Sequence, residues 1–223
     1  MKYLLFLILL SFSLLHAQIA KVTAIKGDVL IKRNGQFKIA NLHTAINKLD
    51  IISTEKNARV QLLFKDNTMI SIGKSSTLNI EDYLFDVGKK PKAKFKFGNG
   101  AFKTITGKIG KLNPRGFQLK SKTASMGIRG TIVNLELSDE EETYMVPQGK
   151  VELKIDGKTF ILNAGQMFTR QAKKPLGKPR VITKSRRDRI ERNSGARDNE
   201  RESGFGENTQ TTGVNTVEKC NYR

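Results

Sequence analysis

The chain has 223 residues, and its 40 Lys and Arg against 21 Asp and Glu give a formal net charge of +19. This length fits one domain with appended segments, or two small domains. The single Cys and two His exclude a Cys-ligand zinc site, a paired redox thiol and an internal disulfide framework.

Residues 1–17 have the pattern of a secretory signal peptide. A lysine at position 2 precedes the apolar run Tyr3–Leu15, and small Ala17 follows at the cleavage position. The apolar run is shorter than the ~20 residues that a transmembrane helix needs. We therefore expect cleavage after Ala17 and a periplasmic or secreted protein with no transmembrane span after cleavage. An uncleaved N-terminal anchor is the alternative. Cleavage leaves His43 as the single histidine.

Residues 18–169 have the pattern of an all-β domain. Apolar and polar residues alternate within β-rich runs such as Arg59–Phe64. Three dipeptides typical of two-residue type I′ turns separate such runs: Asn34-Gly35, Asp66-Asn67 and Asp156-Gly157. Turn residues recur about every 8–12 positions, which favours a sandwich or a short β-roll or β-helix-like domain.

The composition changes after residue 169. Lys184–Arg201 is dense in charge with Ile190 nearly its only apolar residue, and a polar stretch rich in Gly and Thr follows. Such a segment buries too little apolar surface to offset its ordering entropy. We therefore divide the chain into a signal peptide at 1–17, an all-β domain at 18–169 and a disordered basic tail at 170–223. Cys220, in the tail, forms an intermolecular disulfide or remains a free thiol.

Several segments resemble the FecR domain family. Gly27-Asp28-Val29, residues 49–54 (LDIIST) and residues 58–68 (ARVQLLFKDNT) are similar to its opening G-x-V, L-x-x-G-D-x-I-x-T and hairpin. Residues 123–131 (TASMGIRGT) are similar to its T-x-x-A-x-x-G-V-R-G-T segment. Residues 148–151 and 162–166 are similar to its closing hairpin. The resemblance covers roughly Ile19 to Thr169 and departs at Leu49 and Asn67, where the family has glycine.

This resemblance implies an extracytoplasmic, all-β, non-enzymatic domain. In well-known family members such a domain senses a loaded outer-membrane receptor and signals through a membrane helix to a sigma factor. The sequence has no second apolar stretch able to span a bilayer, so we expect the module rather than the whole circuit. The first hypothesis is an exported binding, interaction or sensing module whose partner is an envelope protein. The alternative is a structural envelope protein held on anionic glycans, lipopolysaccharide or the membrane surface by a basic face.

The middle of the chain carries a basic block. Between Asp86 and Glu136 there are twelve Lys and Arg and no carboxylate. In residues 94–97 lysine and phenylalanine alternate, so both lysines share one face of a strand. Export argues against nucleic acid and favours an anionic envelope polymer, whereas a merely solvated face is the alternative. The candidate contacts are Lys94, Lys96, Lys103, Lys108, Lys111, Arg115 and Arg129.

Three further features have a functional and a structural interpretation. Arg129 is either a recognition residue or a pin for a bend set by its neighbouring glycines. His43 lacks an accompanying nucleophile motif, so an enzyme using it is a remote alternative. The acidic run Asp139–Glu142 lacks the spacing of a calcium loop and is expected to be a solvated hairpin loop. We therefore expect no catalytic residue, no cofactor and no metal.

Overall fold

The computed structural model describes residues 18–195 and shows an all-β fold, as predicted, with two α-helices. Its first eight strands are β1 Ala20–Lys26, β2 Val29–Arg33, β3 Gln36–Ile39, β4 Ala45–Ile46, β5 Ile51–Thr54, β6 Arg59–Phe64, β7 Met69–Ile72 and β8 Thr77–Leu84.

The second half begins with two strands and a short helical segment. These are β9 Lys92–Phe97, β10 Gly100–Ile105, helix α1 Lys108–Leu112 and a 3₁₀ turn at Pro114–Gly116. The remaining elements are β11 Phe117–Lys120, β12 Ala124–Leu137, β13 Glu141–Ile155, β14 Lys158–Asn163, β15 Gln166–Gln171, β16 Arg180–Val181 and helix α2 Lys184–Asn193.

One long hairpin, β12–β13, connects two arms of a continuous sheet. The first half of β12 pairs with β11 and leads through β9, β8, β5 and β2 to the edge strand β3. Its second half pairs with β10 and leads through β7, β6 and β1 to β4. β9 and β11 run parallel, whereas the other pairs of the described residues are antiparallel. The long hairpin therefore belongs to both arms.

The two arms pack face to face, which is the sandwich-like arrangement among the alternatives left open by the sequence. Phe64 on β6 lies with its ring centroid 5.0 Å from that of Phe95 on β9, at an edge-to-face angle of 66°. Phe97 and Phe102 form a second such pair at 4.8 Å. All four rings are at most 1% exposed. The inward residues of the alternating strands thus form one aromatic core between the layers.

The three predicted hairpins are present, but one has a different turn. Asn34 and Gly35, and likewise Asp156 and Gly157, all have positive φ, as type I′ turns require. At the third hairpin Asn67 alone has positive φ (65°), and its N–H donates to Phe64 O at 2.9 Å. This is a three-residue loop whose last residue is left-handed, so the expected two-residue turn was wrong here.

Residues 170–195 differ from the expected disordered tail. Thr183 accepts a hydrogen bond from the Arg186 N–H and so caps α2, and Ile190 is fully buried beside Met145 and Ile182. Two ion pairs hold the outer side, Arg186–Glu141 and Arg189–Glu136, both at 2.6 Å. Sequence composition underestimated this segment because one buried isoleucine combines with salt bridges and a cap.

The ion pair between Arg186 of α2 and Glu141 contributes to a lowered pKa of Glu141. A hydrogen bond from Gln171 and the Arg186 guanidinium together outweigh burial and lower the pKa of Glu141. The carboxylate is therefore stabilised in the folded state. This contribution is present above the ordinary Glu pKa and is lost as the pH falls through the lowered value.

Two parts of the predicted domain division lie outside the described residues. These are the signal peptide at 1–17 and residues 196–223, which include Cys220. Among residues 18–195, no helix is both long enough and apolar enough to cross a membrane. The division into 1–17, 18–169 and 170–223 stays a prediction, with the difference described for residues 170–195.

Leu49 occupies a backbone conformation that suits glycine. Its φ is +70° and its side chain is 64% exposed, so the conformation is imposed by the turn before Asp50 rather than by packing of Leu49. An L-residue in the left-handed region costs roughly 1–2 kcal/mol of folding free energy, a cost that glycine avoids. Glycine also makes the unfolded chain more flexible, and this offsets about 0.4–1 kcal/mol of the stability gained by the substitution.

We expect Leu49→Gly to raise the free energy of unfolding by about 0.5–1 kcal/mol in urea titration. The matched control is Leu42→Gly, because Leu42 is also exposed but has an ordinary φ. That control is expected to lower stability. An equal decrease in the free energy of unfolding in both variants would contradict backbone strain at Leu49.

Candidate polyanion-binding face

The predicted alternation of β9 is confirmed. Phe95 and Phe97 are buried, Lys96 is exposed and Lys94 is partly exposed. The strand lies near the middle of one arm, between β8 and β11. Its lysines therefore project from the outer surface of the sheet, opposite the aromatic core.

Strand register brings further lysines onto this surface. Lys120 on β11 pairs directly with Lys96 on β9. On its other side Lys120 pairs with Ser125 on β12, and Ser125 in turn pairs with Lys154 on β13. Directly paired residues point to the same face of a sheet. Neighbouring strands are about 4.8 Å apart, so the three lysines form one row across four strands. We call the outer surface of β9, β11, β12 and β13 the basic face.

A groove of about 750 Å³ runs along the basic face. Its floor is at Gly127, the next outward position of β12 after Ser125, where an added Cβ would meet no atom within 4 Å. The open floor results from small residues on a stretch of β12 that no other segment of residues 18–195 covers. The lining of the groove combines the charged residues Arg115, Lys120, Lys150, Glu152 and Lys154 with apolar ones such as Ile161.

Two carboxylates of β8 border the basic face, and a third, Glu152, lies on it as the cross-strand partner of Gly127. Glu81 accepts from Lys120 Nζ at 2.9 Å, and Glu152 lies 3.0 Å from Lys154 Nζ. The Nζ atoms of Lys48 and Lys92 each lie 2.6 Å from one carboxylate oxygen of Asp82. Burial of Asp82 opposes its charged form, but hydrogen bonds from the two lysines outweigh this and lower its pKa. The carboxylate-free stretch of sequence thus acquires acidic neighbours through strand pairing, and the face keeps an excess of positive charge.

The structure divides the predicted contact residues. Lys94 and Lys96 lie on the basic face and Arg115 lines its groove. Lys103 instead lies on β10, in the other arm, and Lys108 and Lys111 are exposed on α1. The predicted single cluster is therefore wrong for Lys103, because β10 leaves the arm that holds β9.

The glycine-rich segment around Arg129 is part of a strand. Arg129 pairs through its backbone with Lys150, and the register between β12 and β13 shifts immediately afterwards. Gly130 has φ +58° and Gly149 has φ +89°, and a Cβ on Gly149 would lie 2.7 Å from Gly130 O. The expected tight bend is thus a β-bulge with closely approaching backbones.

Sequence reasoning missed Lys120, Lys150 and Lys154 as candidate contacts. Lys120 belongs to the basic block, but its place in the row depends on parallel pairing with β9. The two lysines of β13 lie beyond Glu136, outside that block, and reach the face through the long hairpin. The only available signal was their alternation with buried Val151 and Leu153.

The other singled-out residues occupy structural positions. His43 is exposed in a turn with φ +63° and donates its backbone N–H to Val22 O at 2.9 Å. In the acidic run, Asp139 pairs with Lys122 at 2.8 Å, but Glu142 on β13 is only 3% exposed. The expected solvated loop is wrong for Glu142. Within residues 18–195 no group of three or more His, Cys, Asp or Glu is arranged to hold a metal.

Buried Glu142 is held by hydroxyl groups. Ser121 donates to its Oε2 at 3.3 Å, and Thr123 and Tyr144 donate to the same oxygen. Burial, followed by the hydrogen bond to Glu142, raises the pKa of Tyr144. The tyrosine is therefore kept protonated as a donor, and the cluster fastens the start of β12 to β13.

Asp66 forms a second buried carboxylate cluster. It accepts from the hydroxyl of Tyr83 at 3.0 Å, from the hydroxyl of Thr68 at 2.7 Å and from the N–H of Ile109 at 3.1 Å. Burial, followed by the charge of Asp66, raises the pKa of Tyr83. The cluster connects the β6–β7 loop to β8 and α1, so we assign it a structural role.

Comparison with known proteins confirms the family resemblance for the central part of the chain. Residues 50–152 match the family described as FecR protein. Two crystal structures of a candidate anti-sigma factor from Parabacteroides distasonis, at 1.65 and 2.50 Å resolution, are 15% identical with a TM-score of 0.48. The alignment covers 59% of this chain and 59% of theirs. Among curated proteins, none matches the chain.

Proposed function

The chain contains a FecR domain in residues 50–152, and from this we propose that it is an exported, non-enzymatic binding and sensing module of the cell envelope. Its basic face is the binding surface in this proposal. The ligand is an anionic envelope polymer, such as an acidic glycan or the phosphate-bearing part of lipopolysaccharide. The family match supports an interaction role, and the signal-peptide pattern of residues 1–17 supports export.

The observation that carries the proposal is the lysine row of the basic face. Lys96 and Lys120 are direct cross-strand partners, an arrangement of like charges that destabilises a sheet and that the single Lys120–Glu81 ion pair offsets only in part. Lys154 continues the row two strands away. An anionic polymer lying across the strands neutralises this repulsion on binding, and the open floor at Gly127 gives it space.

Charge reversal of the basic face is expected to abolish binding to polyanions. The variant Lys96/Lys150/Lys154→Glu changes exposed residues and leaves the Lys120–Glu81 pair in place. Wild type should be retained on immobilised heparin or lipopolysaccharide at low salt and released as salt shortens the Debye length from roughly 10 Å at 0.1 M to about 3 Å at 1 M.

The control for this experiment carries the same change in net charge elsewhere. Lys21, Lys65 and Lys178 are exposed and lie outside the basic face, so Lys21/Lys65/Lys178→Glu should keep most of the retention. Equal loss in the two variants would show that only total charge matters. Equal retention would show that the basic face is a solvated surface and would remove the proposed site.

Export is tested separately from binding. N-terminal sequencing of the protein recovered from the periplasmic fraction or the medium is expected to start at or within a few residues of Gln18. The physical reason is the apolar run Tyr3–Leu15 followed by the small residue Ala17. Full-length chain confined to the cytosol would contradict both the localisation and the envelope ligand.

A structural envelope role remains a second candidate, because the same basic face would hold the chain on an anionic surface. The two roles differ in their need for a protein partner. A sensing module requires a receptor or signalling protein, whereas a structural component requires only the polymer. Recovery of a receptor protein by cross-linking in the intact envelope favours sensing.

A further inference from the structure

β3 is an exposed edge strand with large apolar side chains. All four of its residues are exposed, and Phe37 and Ile39 are 68% and 65% exposed. Within residues 18–195 the strand pairs only with β2. Edge strands of soluble proteins are usually protected by charge, proline, a bulge or a covering segment. β3 carries one such charge, Lys38, but the two side chains on its other face, Phe37 and Ile39, are both apolar.

The hydrogen-bonding groups of β3 that are left without a partner among the described residues belong to Phe37 and Ile39. Ala40 donates its N–H to Val29 O at 2.8 Å, and the strands are in register with Lys38 opposite Ile31. In an antiparallel pair the residues that exchange hydrogen bonds alternate along the strand. Lys38 and Ala40 thus face β2 with their backbone groups. The N–H and C=O of Phe37 and Ile39 consequently point away from the sheet.

Three occupants of this edge can be compared by their chemistry. A lipid surface covers the phenylalanine and isoleucine but leaves the outward N–H and C=O groups without partners, which is costly in hydrocarbon. A second copy of β3, paired antiparallel about its centre, places two Lys38 side chains directly opposite each other, and like charges so placed are unfavourable. An extended segment with a carboxylate opposite Lys38 satisfies the backbone groups, the apolar side chains and the charge.

We propose that β3 is a docking edge for an extended segment of another protein that reads apolar–acidic–apolar. The added strand pairs antiparallel with β3, exchanging backbone hydrogen bonds with Phe37 and Ile39. Its acidic side chain lies opposite Lys38 in the non-hydrogen-bonded pair, where side chains are closest. Its apolar residues lie over Phe37 and Ile39. Lys32, whose Nζ is 5.5 Å from the Phe37 ring centroid, is the cross-strand partner of Phe37 and lies on this apolar face, so Lys38 alone selects the acidic residue.

This surface is separate from the basic face. β3 is the outer strand of its arm, with β2, β5 and β8 between it and β9. It also precedes residues 50–152. The proposal therefore concerns a protein partner and stands or falls independently of polyanion binding.

The test measures fluorescence anisotropy of two labelled peptides with the chain lacking residues 1–17. In one peptide valine alternates with glutamate, and in the other it alternates with lysine. Wild type is expected to bind the glutamate peptide at least tenfold more tightly than the lysine peptide. Lys38→Glu should reverse this preference, because it changes the charge opposite the central residue.

Two further variants separate docking on the β3 edge from a contact with any exposed apolar residue. Ile39→Pro removes an outward N–H without touching a bond to β2 and should weaken binding of the glutamate peptide roughly tenfold or more. Val87→Ser, which changes a fully exposed apolar residue off the edge, should have no effect. The charge-reversed basic-face variant should bind the peptide as wild type does.

Several results would overturn the proposal. Equal affinity for both peptides, or binding that survives Ile39→Pro, excludes strand addition at β3. A concentration-dependent dimer that Ile39→Pro abolishes assigns the edge to a second copy of the chain. Adsorption to neutral phosphatidylcholine vesicles that is lost on replacing Phe37 with Ser assigns it to a lipid surface. Circular dichroism of each variant confirms that the fold is retained.

Discussion

Replacing Arg33 with Ala is expected to lower the free energy of unfolding by about 3 kcal/mol, because it leaves a buried carboxylate without its counter-ion. Asp50 is fully buried and accepts two hydrogen bonds from the guanidinium, both at 2.7 Å. Arg33 also donates to Ala45 O at 2.9 Å. The pair thus connects β2 to the segment between β4 and β5, and the hydrogen bonds to Asp50 raise the pKa of Arg33 despite its partial burial.

The double variant Arg33→Ala/Asp50→Asn separates the charge from the packing. It removes the unpaired carboxylate, so it should recover part of the lost stability. Urea denaturation of the two variants and wild type gives the comparison, with unchanged m-values as the check on two-state unfolding. A loss below 1 kcal/mol for Arg33→Ala would contradict the buried ion pair.

Removing the docked helix α2 is the second change with a large expected effect. Ile190 is fully buried, and replacing a buried isoleucine with alanine costs about 2–5 kcal/mol. Ile190→Asp adds the cost of a buried charge, so we expect it to undock α2. Asn193 donates to Glu136 at 2.8 Å, and a Cβ on Gly73 would lie 1.9 Å from Asn193 O. The end of the helix is therefore in close contact with the β7–β8 turn.

We expect a chain ending at residue 182 to melt several degrees below the intact chain, since about 1 kcal/mol corresponds to roughly 2–4 °C at this size. Ile190→Asp should reproduce most of that shift and expose the helix to trypsin. Arg187→Ala is the matched control, because Arg187 is exposed on the same helix. An unchanged melting temperature after truncation would restore the boundary at residue 169.

Local patterns of the sequence predicted the parts of the fold that depend on neighbouring residues. The alternation of lysine and phenylalanine in β9 and the positive φ of Asn34-Gly35 and Asp156-Gly157 are properties of single strands and turns. Side-chain alternation and turn type depend only on residues a few positions apart, and for this reason both predictions were confirmed.

Features that depend on distant pairing were missed or misplaced. The lysine row combines β9 and β11 with β13, whose Lys154 is 58 residues beyond Lys96 in the sequence. No local signal fixes the register of strands so far apart. The burial of Glu142 likewise depends on hydroxyl groups at Ser121 and Thr123, which lie in the β11–β12 loop, 21 and 19 residues away in the sequence.

The sequence allowed a short charged helix near residues 185–193, but the packing of α2 against the sheet was not predicted, for a different physical reason. Composition measures how much apolar surface a segment carries, and this helix buries only Ile190. Its remaining stabilisation comes from the Thr183 cap and from Arg186 and Arg189 paired with strand carboxylates. A charge-dense sequence conceals such pairing, because the partners Glu141 and Glu136 are about 45–53 residues away.

The central claim is that anionic polymers bind across the strands of the basic face, and an NMR titration tests it most directly. Uniformly ¹⁵N-labelled protein is titrated with a heparin oligosaccharide while backbone amide shifts are followed. The Gly127 amide is the diagnostic signal, because it forms the groove floor. We predict shifts concentrated at Gly127 and in β9, β11 and the second half of β13. Shifts confined to Lys21, Lys65 and Lys178, or spread over all exposed lysines, would contradict it.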